Sequence, residues 1–228
     1  METSLHHQLK EIYAGKGARI EVPLKNYRID VVCGKQLIEI QHGSLAAIRD
    51  KIQKLLTDHS VLVVKPLVVR KRLVKTNERG GPIVSRRLSP KRGDIFDLFD
   101  ELVYFTHVFP HENLVLEAPL VEIEEWRYPG HGRRRRRREN DFQVEDQKLL
   151  NVERTYRFRT AQDLLQLIPK GLPKPFHTGH LAKLLGTDRW IAQRIAYCLR
   201  EMGATKQKGK QGNAYLYEFS KKTKSRAA

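Results

Sequence analysis

The sequence predicts a mixed α/β fold, and three observations carry that reading. A helical pattern, three short strands, a second helical pattern and a β-branched run follow one another in residues 2–69. A set of short helical patterns ending in a basic, glycine-punctuated hairpin closes the chain. Between these parts the composition changes abruptly at a run of six arginines, which no core could pack.

From Glu2 to Tyr13, Leu5, Leu9, Ile12 and Tyr13 recur at helical spacing, and Gly15 and Gly17 end the helix. "ARIEVPLK" (18–25), "YRIDVVC" (27–33) and "KQLIEIQ" (35–41) alternate as strands, with breaks at Asn26 and Gly34 that suit hairpin turns. Ser44 is a suitable N-cap for a helix that carries Leu45, Ile48, Ile52, Leu55 and Leu56 on one face. "HSVLVVKPLVV" (59–69) is a nearly continuous apolar run, as in a strand covered on both faces. The order is α-β-β-β-α-β. Residues 70–93 read as a basic hairpin or loop, 94–109 as an amphipathic helix, and 113–126 as one or two strands.

The chain has 228 residues, with 43 Lys and Arg against 26 Asp and Glu, a net charge of +17 and a pI near 10.0. Such a surplus calls for a polyanionic partner, nucleic acid before an anionic membrane surface. No apolar run approaches the ~20 residues that span a bilayer, and the residues after Met1 do not resemble a signal peptide. Two distant cysteines, Cys33 and Cys198, suit no metal spacing and fit a reduced compartment. A cytoplasmic, nucleoid-associated location without a membrane partner is therefore expected.

Two carboxylates stand among the aliphatic residues of the second and third strands. With a two-residue turn at Gly34-Lys35, Cys33 faces Gln36 and Asp30 faces Glu39. A turn at Cys33-Gly34 slides the pairing by two but leaves Asp30, Glu39 and Gln41 on one face. In the first register the β-carbons of the two acids would be ~4.5–5.5 Å apart. Like charges that close destabilise each other unless a cation lies between them. An oxygen-seeking divalent ion such as Mg²⁺ or Mn²⁺ removes the conflict; neighbouring basic residues such as Arg28 would do so as well. Glu2 projects near the centre of the Leu5/Leu9/Ile12 stripe and could approach this face, with His6 one turn later. His42 alternates to the other side.

An α-β-β-β-α-β order with Glu2 on the first helix, Asp30 on the second strand and Glu39-Ile40-Gln41 on the third resembles the PD-(D/E)xK nuclease superfamily. The resemblance covers roughly residues 2–69 and implies a restriction-endonuclease-like core. It further implies metal-assisted phosphodiester hydrolysis with Asp30, Glu39 and the backbone carbonyl of Ile40 as metal ligands. Gln41 stands where these enzymes usually carry lysine. Some members keep Gln there, and others move the basic group to the following helix, where Arg49 and Lys51 are found. The resemblance also admits a homodimer and a binding-only descendant.

The chain therefore divides in prospect into a nuclease-like domain (1–128), a basic linker (129–154), a winged helix-turn-helix domain (155–220) and a basic tail (221–228). The last domain is read from three helical patterns, 159–169, 177–186 and 187–203, followed by the hairpin 204–220. In the third helix Ile191, Ile195, Leu199 and Met202 form the apolar stripe, with Trp190 expected in the core. Arg189, Gln193 and Arg194 lie off the stripe and are candidate base or phosphate contacts. Lys206, Lys208 and Lys210 in the hairpin would meet phosphates. Arg133, Arg134, Arg135, Arg136, Arg137 and Arg138 offer polyanion affinity without specificity. His177 and His180 lack a third ligand for zinc.

The function expected is a metal-dependent endonuclease acting on double-stranded or branched DNA. A non-catalytic winged-helix DNA-binding regulator and an RNA-binding or RNA-processing factor remain the alternatives.

Overall fold

The computed structural model describes residues 2–130 and 141–220; the arginine run and the tail lie outside them. The fold is mixed α/β with one large mixed sheet and several helices. Helix α1 spans Ser4–Tyr13, followed by β1 (Arg19–Leu24), β2 (Tyr27–Cys33) and β3 (Gln36–Ile40). A 3₁₀ turn capped by the Ser44 side chain leads into α2 (Arg49–Leu55). Then come β4 (Ser60–Val64), β5 (Leu67–Thr76), β6 (Ile83–Leu88), α3 (Leu98–Leu102), β7 (Leu114–Pro129) and β8 (Phe142–Phe158). The chain continues through α4 (Ala161–Leu164), α5 (Thr178–Leu185) and α6 (Arg189–Glu201) to the hairpin β9 (Thr205–Gln211) and β10 (Ala214–Phe219).

The large sheet has the order β1-β2-β3-β4-β7-β5-β6, with β8 also paired to β7. Strands β1 and β2 turn at Lys25, whose φ is 52°. Strands β2 and β3 turn at Gly34, whose φ of 60° suits a residue without a β-carbon. Their register is Cys33↔Gln36, Val32↔Leu37 and Val31↔Ile38, the first of the two registers expected. Strand β5 runs parallel to β7, and β6 is antiparallel to β5. The bonds Val61 N–H to Asn113 O and Lys65 N–H to Glu117 O advance together, so β4 also runs parallel to β7.

Several elements differ from expectation for identifiable reasons. The run 59–69 is not one strand: it breaks at Lys65-Pro66, where proline has no N–H to offer a ladder. The strand then resumes through the supposed connector to Thr76. In the segment 94–109 only Leu98–Leu102 is α-helical, after a 3₁₀ turn. Beyond it, Phe105, Val108 and Phe109 are buried one by one in a run of turns, and their aromatic and β-branched neighbours are weak helix formers. Residues 142–154, expected within a linker, make most of β8, a long strand whose mixed exposed and half-buried pattern hid it.

Two compact units result, and they do not follow the linear division. The first comprises residues 2–42, 63–95, 117–130 and 141–156, and contains α1 and most of the sheet. The second comprises residues 43–62, 96–116 and 157–220. Its core joins Ile52 and Leu55 of α2, Leu98, Phe99 and Leu102 of α3, Leu181 of α5, and Ile195 and Leu199 of α6, all buried. Helices α4 to α6 thus share their core with residues placed earlier in the chain. Trp190 is not part of that core: it is 48% exposed, with its indole N–H donated to Asp188. Among the described residues no helix is long and apolar enough to cross a membrane.

Candidate functional site

The first unit concentrates ionisable groups inside its fold. Lys10, Glu39, Lys65, Glu117 and Glu125 are all buried, which is rare for charged side chains without partners. Helix α1 supplies one side of the arrangement. It buries Leu5 and Leu9 as expected, but Ile12 is exposed and Lys10 takes an interior place at 1% exposure.

Lys10 is held by Glu2 at 2.5 Å and by Glu21 at 2.7 Å. Burial works against its charge, yet the two carboxylate hydrogen bonds prevail and raise its pKa. Glu21 adopts φ 55°, a left-handed conformation costly for a residue with a β-carbon, and its carboxylate also pairs with Arg28. The hydrogen bond from Lys10 holds the Glu21 carboxyl below its usual range.

Asp30 lies at the point where the β2–β3 ladder gives way to side-chain bonding. Past the Val31↔Ile38 pair, its carboxylate accepts the Ile40 backbone N–H at 2.8 Å. His6 Nε2 is 3.3 Å from the same oxygen, and His6 Nδ1 is 2.9 Å from Glu2. The hydrogen bond to Asp30 outweighs burial and raises the His6 pKa. Glu2 reaches Asp30 through His6. The observed pairs end at Val31↔Ile38, one residue short of Asp30 and Glu39, and Glu39 is buried on β3 at 4% exposure. Gln41 follows β3, half-buried, and donates its backbone N–H to Val64 O at 2.8 Å.

That bond brings Lys65 to the end of β3. Lys65 is 4% exposed and donates from Nζ to the His42 carbonyl at 2.9 Å. Sequence reasoning missed it because Lys65 sits inside an apolar run and reads as an interruption. His42 has its pKa lowered by burial first and by Lys65 and Lys71 next. Glu125, 2% exposed, is enclosed by Lys71 at 2.6 Å, Gln147 at 2.7 Å and Arg127 Nε at 2.6 Å. Burial alone would raise its pKa, and these donors reverse the direction and lower it.

The oxygen chemistry of Asp30, Glu39 and the Ile40 carbonyl suits a divalent cation bound by two carboxylates. No group of three or more His, Cys, Asp and Glu side chains able to hold a metal occurs among the described residues. Glu2, turned to Lys10 and His6, is not a third carboxylate for such an ion. Arg49 and Lys51 lie on α2 in the second unit, where Arg49 pairs with its neighbour Asp50 at 3.0 Å.

In the second unit α6 exposes Arg189, Trp190, Gln193, Arg194 and Tyr197, while Ala192, Ile195, Ala196 and Leu199 are buried. Arg194 is engaged twice, in an ion pair with Asp100 and 4.7 Å from the Trp190 ring centroid. Lys206, Lys208 and Lys210 are exposed on β9; Lys208 lies 3.4 Å from Glu218, and Lys210 lies over the Tyr215 ring. The imidazole of His177 accepts the backbone N–H groups of Gly179 and His180 and so caps α5. Arg133–Arg138 fall outside the described residues.

These features define a mixed α/β protein with a charge-rich first unit and a basic helical second unit. The chain belongs to the family described as "Domain of unknown function (DUF8091)", whose model matches residues 3–159. An uncharacterized protein of Treponema pallidum (strain Nichols) is 31% identical over 217 residues, covering 95% of this chain and 84% of that protein. No solved structure matches.

Proposed function

We propose that the chain is a metal-dependent DNA endonuclease whose first unit cuts and whose second unit grips the duplex. The observation that carries this reading is the β2–β3 hairpin, whose register runs to Val31↔Ile38 and, continued by one residue, would bring Asp30 and Glu39 face to face. The order α1-β1-β2-β3-α2-β4, with β4 beside β3, supports the reading of a restriction-endonuclease-like core. Asp30, Glu39 and the Ile40 carbonyl would hold Mg²⁺ or Mn²⁺. Such an ion would activate water and offset charge on the scissile phosphate. The chain's own part is to fix the Asp30 carboxylate, through the Ile40 N–H and His6, to bury Glu39 on the next strand, and to supply a cation. Gln41 can orient a water by hydrogen bonding; Lys65, just past the end of the neighbouring strand β4, brings the positive charge that Gln41 lacks. The succession α4, α5, α6, β9 and β10 supports a winged-helix reading, with the exposed face of α6 toward the bases and the β9 lysines toward phosphates.

The test is cleavage of plasmid and branched DNA with either ion. Asp30→Ala and Glu39→Ala should abolish cutting while both variants retain a cooperative melt. A second reading, a DNA-binding regulator without catalysis, is favoured by the exposure of Arg189 and Gln193 on α6 and of Lys206, Lys208 and Lys210 on β9. Pure protein that binds DNA and cuts no substrate with either ion decides for the regulator.

A further inference from the structure

Strand β6 closes one edge of the large sheet, and all six of its residues, Ile83–Leu88, are exposed. An edge strand of that kind offers unpaired backbone groups and, here, apolar side chains. Val84 is 67% exposed and falls at a bulge, where the register jumps from Lys75↔Ser85 to Thr76↔Ile83. Arg86 and Arg87 sit opposite Val74 and Leu73, one on each side of the strand. The chain then stays against β5 instead of leaving it. Ser89 N–H bonds to Lys71 O at 2.8 Å, Gly93 N–H bonds to Val69 O at 3.2 Å, and Lys91 N–H bonds to the Ser89 hydroxyl at 3.3 Å. Residues 83–92 carry Arg86, Arg87, Lys91 and Arg92 and no acid.

A bulge and a charge or two suffice to keep an edge from pairing with another strand. This edge exceeds that need, because its cations continue past the strand on backbone pinned to β5. Pairing with the same edge of a second copy would set arginine against arginine. From Arg86, opposite Val74, to Gly93, bonded to Val69, the segment runs along five residues of β5, ~16 Å at about 3.3 Å per residue. A duplex presents one negative charge per ~1.7 Å of its axis along such a length. We infer that β6 and the segment through Arg92 form a second DNA-backbone contact surface, built into the first unit and separate from α6 and the β9–β10 hairpin. The inference rests on the reading of DNA as partner and names which surface of the family's own domain holds the duplex. It makes phosphate contacts and reads no sequence.

The experiment measures binding of the full chain to a short fluorescein-labelled duplex by anisotropy, between about 50 and 200 mM salt. For R86A/R87A/K91A/R92A, affinity should fall about tenfold or more. The slope of log affinity against log salt should shrink by about 3 to 4, because each phosphate no longer neutralised takes ~0.9 from it. The charge-preserving variant R86K/R87K/R92K should bind as the unaltered protein does, and all three proteins should melt alike. Unchanged affinity and slope in the alanine variant overturn the inference, as does equal loss in the lysine variant. Loss of binding to anionic phospholipid vesicles with unchanged DNA binding overturns it too. A protein that binds through β6 but never cuts sinks the endonuclease reading alone; a protein that cuts yet ignores the β6 changes sinks this inference alone.

Discussion

His6 Nε2 lies 3.3 Å from Asp30 Oδ2, and this contact couples the protonation of α1 to the carboxylate that ends the β2–β3 ladder. Asp30 raises the His6 pKa chiefly by hydrogen bonding, with burial opposing. A histidine whose folded pKa is raised contributes its full stabilisation below the unfolded value of ~6.5 and loses it as pH climbs through the folded value. His6→Gln should therefore cost about 1.5 kcal/mol near pH 6, the low end for a hydrogen bond to a charged group, and much less at pH 9. Thermal melts of both proteins across that range check it; a deficit independent of pH would contradict the coupling.

Glu125 works in the opposite direction. Its carboxylate is enclosed by Lys71, Arg127 and Gln147, and those donors overcome burial to lower its pKa. A carboxyl with a depressed folded pKa stabilises above its unfolded value of ~4.3 and loses that contribution as pH falls through the folded value. Glu125→Gln leaves two cations facing a neutral group, and should cost about 3 kcal/mol at pH 7. The loss should shrink steadily below pH ~4. Urea unfolding at both pH values measures it, and an equal loss at each would show that shape rather than charge is at stake.

The two cysteines should react unequally. Cys198 is fully buried, 3.8 Å from the Phe99 carbonyl, and burial first and Asp100 next push its thiol up to about 12. Cys33 is half-buried at the end of β2. Since the thiolate is the nucleophile, native protein at pH 7.5 should take up one equivalent of iodoacetamide, at Cys33, and a second only on unfolding. Mass spectrometry of the intact chain counts them; early labelling of Cys198 would mean that the packing of α6 on α3 opens readily.

The parts of this fold legible in the sequence are those set by local chemistry. Alternation in 27–33, with Gly34 before 36–40, fixes the hairpin and its register as far as Val31↔Ile38; that β3 is buried on both faces, Glu39 included, is not legible in that pattern. The helix over 4–13 follows from Leu5 and Leu9. What remained hidden depends on distant partners. Lys10 reads as a surface residue until Glu21, eleven positions on, turns through a left-handed φ to meet it. Strand β8 buries only its last residue, Phe158, and its place in the sheet comes from β7. Ile12 satisfies the helical period yet is exposed. The joining of α2 and α3 with α6 in one unit is long-range packing, and no window of sequence contains it.

Lys65 separates the two functional readings most sharply. Its side chain is buried beside the end of β3 and bonded to the His42 carbonyl. Lys65→Met keeps the length and apolar stem but removes the charge and the donor. As a structural change this should cost about 1–3 kcal/mol, the penalty for leaving the carbonyl without that donor, and melting should remain cooperative. If Lys65 supplies the positive charge of a phosphodiesterase, the same change should lower kcat for DNA cleavage by about 10²–10³-fold with KM nearly constant, as when one preorganised donor to a developing charge is removed. Gln41→Ala, which removes only an orienting amide and no charge, should cost less than Lys65→Met. Single-turnover cleavage by the two variants decides between the roles. A larger loss from Gln41→Ala than from Lys65→Met would return the burden to the third strand and leave Lys65 a structural clamp between β4 and His42.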